Sequence, residues 1–155
     1  MPTQPNTPLT SSAHEAFMLQ CIELAMQAKE RGESPVGSII TLGEEIIGRG
    51  IECNKKHNDI TFHAEIEAIR RATEYLKSQD LSSCTMYTTH EPCIMCSYVI
   101  RQTKINTVII GLMNKEVGGA SSPYALLADT SITKWGKPPA IVTGVLEEEC
   151  KKLIS

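Results

Sequence analysis

Two short stretches, HAE at 63–65 and HEPCIMC at 90–96, gather imidazole, carboxylate and thiol groups that could act on one centre. Cys93 and Cys96 stand three residues apart, so in the first turn of a helix both sulfurs project to one side and can share a tetrahedral ion. The free N–H groups and dipole of such a helix end favour thiolate over thiol, the state that zinc binds. Pro92 suits the position before it, because proline lacks the amide that would otherwise stay unbonded there. With His63 the set becomes one imidazole and two thiolates, one ligand short of the closed tetrahedron of a structural zinc site. Water in that remaining position is acidic near neutral pH, and Glu65, two residues beyond His63, offers a carboxylate to carry its proton. His90 lies nearer the cysteine pair, but a fourth protein ligand would displace that water.

These groups need helices that begin at the right places on a rigid support. Ser12 and Glu15 have capping-box spacing, and Phe17, Met18, Cys21, Ile22, Ala25 and Ala28 recur at helical period, which predicts a helix over 13–31 that Gly32 stops. VGSIITL and EIIGRGIE, separated by a turn at Gly43 and Glu44, predict an antiparallel hairpin. A polar loop, CNKKHNDIT, follows, and from His63 a second helix buries Ile66, Ile69, Ala72 or Thr73, and Leu76. CTMYTT, NTVIIG and AIVTGV are predicted strands; CIMCSYVIRQ, PYALLAD and LEEECKKLI are predicted helices. Two leading strands and then alternating helices and strands imply an α/β protein with a mixed sheet between helical layers.

The net charge of −3 offers no broad basic field, so a nucleic-acid partner is disfavoured on charge. No apolar run approaches the roughly 20 residues of a membrane-crossing helix, and no membrane partner is expected. Of the six cysteines only Cys93 and Cys96 are close together, unlike a secreted disulfide framework. Cys21, Cys53, Cys84 and Cys150 are expected as packing residues, and Met26, Met86, Met95 and Met113 as core filler. MPTQPNTPLTSS lacks the basic and apolar regions of a secretory signal. Residues 1–12 are therefore expected to be a disordered lead-in to a single domain over 13–155, with a cytoplasmic location as the default.

H-x-E paired with P-C-x-x-C is the signature of zinc-dependent base deaminases. With SPVGSII, IIGRGIECN, HAEIEAIRRA, TMYTTHEPCIMC and GVLEEEC, the chain resembles the cytidine and deoxycytidylate deaminase superfamily, in particular its guanine deaminase, cytosine deaminase and tRNA adenosine deaminase branch. The resemblance implies a three-layer α/β/α sandwich around a mixed five-stranded sheet, a homodimer, and one Zn2+ per chain held by His63, Cys93 and Cys96. It implies Glu65 as the proton shuttle rather than a ligand. By the same resemblance Asn54 hydrogen-bonds the base, the Ala64 N–H contacts the substrate, and Val36 lines the pocket. His90 departs from the family pattern and is read as a pocket-lining residue that bears on substrate choice.

Acidic balance and the absence of a basic extension after GVLEEEC favour a free nucleobase or small nucleoside, of guanine or cytosine type, as substrate. A tRNA adenosine is the alternative, and a catalytically silent zinc-stabilised binding module is the alternative of another class. The segment 114–139, with Tyr124 and Trp135, is expected to shape the pocket, and Gly118 with Gly119 to form a turn.

Overall fold

The computed structural model describes residues 10–155. The elements are α1 (Ser11–Glu30), β1 (Gly37–Leu42), β2 (Glu45–Ile51), α2 (Asn54–His57), α3 (Ala64–Leu76), β3 (Cys84–His90), α4 (Ile94–Thr103), β4 (Thr107–Leu112), a 3-10 turn (Thr133–Trp135), β5 (Ala140–Val142) and α5 (Glu147–Leu153). The five strands form one sheet in the order β2-β1-β3-β4-β5. β1 pairs antiparallel with β2 and β3, whereas β4 runs parallel to β3 and β5, so the sheet is mixed as expected.

Strand alternation divides the core into two layers. Ile39, Tyr87 and Ile109 are register partners in one row and pack with Met18 and Cys21 of α1 and Cys150 of α5. The adjacent row, Ile40, Met86 and Val108, points to the other face and packs with Ala68 and Ile69 of α3 and Ile100 of α4. Both faces are therefore covered, and the architecture is the three-layer α/β/α sandwich.

Several local expectations need correction. Helix α1 starts at Ser11, with Thr10 Oγ1 as its cap accepting from the Ala13 N–H at 3.2 Å, so Ser12 is not the cap. Thr10, Ser11 and Ser12 belong to α1 and its cap rather than to a disordered lead-in, and the rest of that expectation, residues 1–9, lies outside the described residues. The buried stripe of α1 is Met18, Cys21, Ala25 and Ala28, which turns Met26 outward at 50% exposure rather than into the core. The polar loop at 53–61 contains the short helix α2, and β5 is shorter than AIVTGV. PYALLAD is a run of turns. Its main chain is bonded elsewhere: the Arg101 guanidinium takes the Leu126 and Asp129 carbonyls, and the Leu127 N–H reaches back to the Gly119 carbonyl.

The placement of α3 depends on small residues. A Cβ on Gly50 would lie 2.0 Å from the Ala64 carbonyl oxygen, and one on Gly48 would lie 2.4 Å from that of Ala68. Ala64, Ala68 and Ala72 are all buried, so α3 lies directly on β2 with no side chain between the two backbones. That contact fixes the helix end carrying the HAE stretch. Gly50→Ala is expected to lower stability by about 2 kcal/mol or more, at the upper part of the range for overpacked cores. Thermal unfolding would measure this, and zinc content should fall in parallel because His63 is displaced with its helix.

Candidate active site

His63 is the N-cap of α3 and Cys93 the N-cap of α4, so two helix ends meet at this point. An N-cap side chain ordinarily bonds the first free amides of its own helix. Neither does so here, and both turn toward each other. His63 Nδ1 lies 3.5 Å from Cys93 Sγ and 3.5 Å from Cys96 Sγ. A tetrahedral zinc with ordinary Zn–N and Zn–S bonds sets its nitrogen and sulfur ligands about 3.5 Å apart, so the three side chains fit that ion. Among the described residues, His63, Cys93 and Cys96 are the one group of metal-ligating side chains close enough to hold an ion. They are positioned to bind a single zinc, and His90 is outside the group.

The electrostatics follow from crowding two thiols against an imidazole. Hydrogen bonding from the Cys96 thiol, and then from His63, pulls Cys93 down to about 4. Cys96 is pushed far up, first by that same shared proton and then by burial. His63 rises to about 9, chiefly through its hydrogen bond with Cys93. The site thus carries a thiolate beside an imidazolium, with labile protons that a divalent ion would replace.

Glu65 follows on the first turn of α3 and is 4% exposed. Its Oε1 has no hydrogen-bond partner among the described residues. Burial, reinforced by the Cys93 charge, raises its carboxyl to about 7. A carboxyl in this state gains and loses a proton near neutral pH, as a general acid and base requires.

Glu52 was not singled out by the sequence reading, yet it joins the other predicted positions. It is 5% exposed, and its Oε2 lies 3.9 Å from His63 Nε2, the ring nitrogen facing away from the sulfurs. A carboxylate there orients the ring so that Nδ1 is left to the metal. The same oxygen accepts from Asn54 Nδ2 at 2.9 Å, while Oε1 accepts from the Ala64 N–H at 3.3 Å and so caps α3 from outside. Glu52 N–H in turn donates to the Val36 carbonyl at 3.2 Å. Asn54 and Ala64 thus meet on the Glu52 carboxylate and Val36 on its backbone N–H, and the Ala64 N–H already has an acceptor. The signal in the sequence was the acid of IECN, just past the end of β2 and two residues before Asn54.

His90 ends β3, half-buried, with Nδ1 3.4 Å from Thr89 Oγ1. Burial lowers its pKa, which keeps the ring neutral at pH 7. Glu91, one residue on, is also buried and accepts from the N–H groups of Asn114 (2.7 Å), Ala120 (2.8 Å) and Ser121 (2.6 Å) and from Ser121 Oγ (2.6 Å). It draws the segment after β4 over the start of α4, where Gly118 pairs with Cys93. A Cβ on Gly118 would come within 2.1 Å of the Glu91 carboxyl carbon, so the expected plain turn is also a packing contact. Farther along, Arg101 is 2% exposed and donates to the carbonyls of Leu126, Asp129 and Gly136, with Trp135 stacked 5.4 Å away. Tyr124 is 60% exposed, and Trp135 meets Tyr98 edge-on at 5.6 Å.

A family model described as the cytidine and deoxycytidylate deaminase zinc-binding region matches residues 11–112. A tRNA-specific adenosine deaminase from Aquifex aeolicus is 35% identical over 144 residues, which span 91% of this chain and 91% of that protein. A structure from work on tRNA:A34 deaminases and A-to-I editing at the wobble position superposes with a TM-score of 0.83 at 30% identity, covering 89% of this chain and 98% of the other. The guanine deaminase from Bacillus subtilis superposes with a TM-score of 0.63 at 34% identity over 64% of each chain.

Two outcomes are expected from this geometry. A carboxyl near 7 in the fold, against about 4.3 in the unfolded chain, keeps its proton longer when folded, so stability declines as pH rises between those values. In chelator-treated protein, the melting-temperature advantage of Glu65→Gln over wild type should widen from about pH 4 to about pH 7 and then level off. Glu91→Ala removes the acceptor of three backbone amides, each costing about 1–3 kcal/mol when buried unbonded. It should destabilise by at least about 2 kcal/mol, with the amides of 114–121 losing protection in hydrogen exchange.

Proposed function

The chain belongs to the cytidine and deoxycytidylate deaminase zinc-binding family, and on that premise we propose that it hydrolytically deaminates adenosine within RNA of the tRNA class. The observation that carries this reading is the near full-length likeness to the Aquifex tRNA-specific adenosine deaminase, supported by the superposition on the tRNA:A34 deaminase structure. The earlier expectation of a free guanine- or cytosine-type base rested on charge and gives way to its RNA alternative. Free guanine is kept as a second reading because the Bacillus guanine deaminase is 34% identical over the part it shares. We take residues 13–155 as one deaminase domain.

In this reading His63, Cys93 and Cys96 hold the zinc, which supplies an acidified water and a Lewis acid beside the base. Glu65 would take one proton from the attacking water and deliver it to the ring nitrogen, then take the second from the hydroxyl added to the ring carbon and pass it to the departing amine. Net, a C–N bond to the exocyclic amine breaks, a C–O bond forms, and ammonia departs. The unpartnered Glu65 oxygen and its neutral-range pKa support that role. Asn54 orients the base from the end of β2, held by Glu52; the Ala64 N–H and Val36 border the same space, and His90 contributes to base selection from the end of β3. A homodimer belongs to the reading as well, with the exposed Ile94 and Tyr98 of α4 available for contact; sedimentation of the zinc-loaded chain as a monomer would remove it.

The deciding experiment offers zinc-loaded protein an adenosine-bearing anticodon stem-loop, adenine, guanine, cytosine and their nucleosides, with ammonia and inosine as readouts. Inosine in the RNA is expected. Turnover of guanine alone would transfer the assignment to the second reading, and no turnover at all would favour a silent binding module. Glu65→Gln should keep its zinc while the active substrate's turnover falls on the order of 10²–10⁴-fold.

A further inference from the structure

Beside the Asn54 segment, four elements each send one cation to a single pocket of about 220 Å³. Arg31 comes from the C-cap of α1, Arg49 from β2, Lys56 from α2 and Arg71 from α3. None of these four side chains makes an ion pair or side-chain hydrogen bond among the described residues. The one acid lining the pocket is Glu67, and its carboxylate is occupied by Arg70. Glu33, nearby, is buried and spends both oxygens on the Lys55 and Lys56 amides. Unpaired cations gathered in a protein of net charge −3 repel one another, and the arrangement relaxes when an anion enters. Guanidinium groups match the oxygens of a phosphate with paired N–H donors, and lysine adds a point charge.

We propose that this pocket is a phosphate-binding site. It shares backbone with the active-site wall. Ile51 and Cys53 line it immediately before Asn54, and Glu67 lies one turn along α3 from His63, whose carbonyl accepts the Glu67 N–H at 3.0 Å. Along α3 the pocket runs from Glu67, one turn from the end that carries the metal ligand, to Arg71, two turns from it, which is about 6–12 Å. The source of the phosphate is either a phosphodiester flanking the target base, which rests on the RNA reading above, or a free phosphate. In both cases the bound group is a phosphate.

The test uses the full zinc-loaded chain, wild type against the double variant Arg49→Gln/Arg71→Gln, with two probes: inorganic phosphate by calorimetry and an anticodon stem-loop by fluorescence anisotropy across a salt series. The double variant should bind at least one probe about tenfold more weakly. If that probe is the RNA, the slope of log affinity against log salt should drop by about one, for the one phosphate whose contacts are lost. Loss of stem-loop binding alone identifies a phosphodiester, and loss of inorganic phosphate binding identifies a free phosphate. The latter result with no RNA turnover would sustain the pocket while removing the RNA reading. Unchanged affinity for both probes, or a wild type that binds neither, overturns the assignment. Lys56→Gln, on a separate helix, repeats the comparison if the double variant loses zinc or melts early.

Discussion

The meeting of two helix ends on one imidazole and two sulfurs is the constraint around which the rest of the molecule is arranged. His63 and Cys93 occupy positions whose side chains normally serve their own helix, and each has been withdrawn from that service. The missing cap of α3 is supplied by Glu52, which also faces the second nitrogen of the His63 ring. A single carboxylate therefore ends the helix, orients the ring and holds Asn54. Such economy of groups ties stability to chemistry: what positions the metal ligands is also what finishes the fold.

Close backbone contact sets the accuracy of this arrangement. With Gly48 and Gly50 against Ala64 and Ala68, α3 rides on β2 without adjustable side chains between them. His63 and Glu65 sit on the same helix end, so the metal-ligating imidazole and the buried carboxyl keep a fixed relation to each other and to the sheet. The central strand β3 runs in the same direction as β2 and leads to Cys93 and α4 at the same end of the sheet. The burial that raises the Glu65 carboxyl toward 7 is a by-product of that tight seat.

What the sequence disclosed is what local spacing encodes. The ligand trio and Glu65 were legible because each falls within a few residues of a helix start, and the leading hairpin because its apolar runs flank a two-residue turn. Residues whose partners are remote stayed hidden. Glu91 bonds amides some two dozen or more positions away, and Arg101 reaches carbonyls as far as Gly136. PYALLAD has helical periodicity, yet the buried guanidinium outcompetes the helix for its carbonyls. Local propensity also failed to choose among Thr10, Ser11 and Ser12 as the cap of α1, since all three can accept an amide bond. The expectation of a free base leaned on net charge, a whole-chain quantity that says little about where cations gather, and the tRNA-specific relatives back its RNA alternative better.

The two buried anchors of the 114–136 segment hold it mainly by its main chain. Arg101 binds three carbonyls, and Glu91 binds three amides, with the Ser121 hydroxyl as its one side-chain partner. A segment secured in that manner keeps its path whatever most of its side chains are. Apart from Gly118, Gly119 and the buried Leu127, the segment after β4 can thus change its side chains while the metal ligands, Glu65 and the sheet stay where they are. It works like a replaceable faceplate on a fixed frame: the surface beside the metal ligands can change without rebuilding the sheet and helix ends that position them.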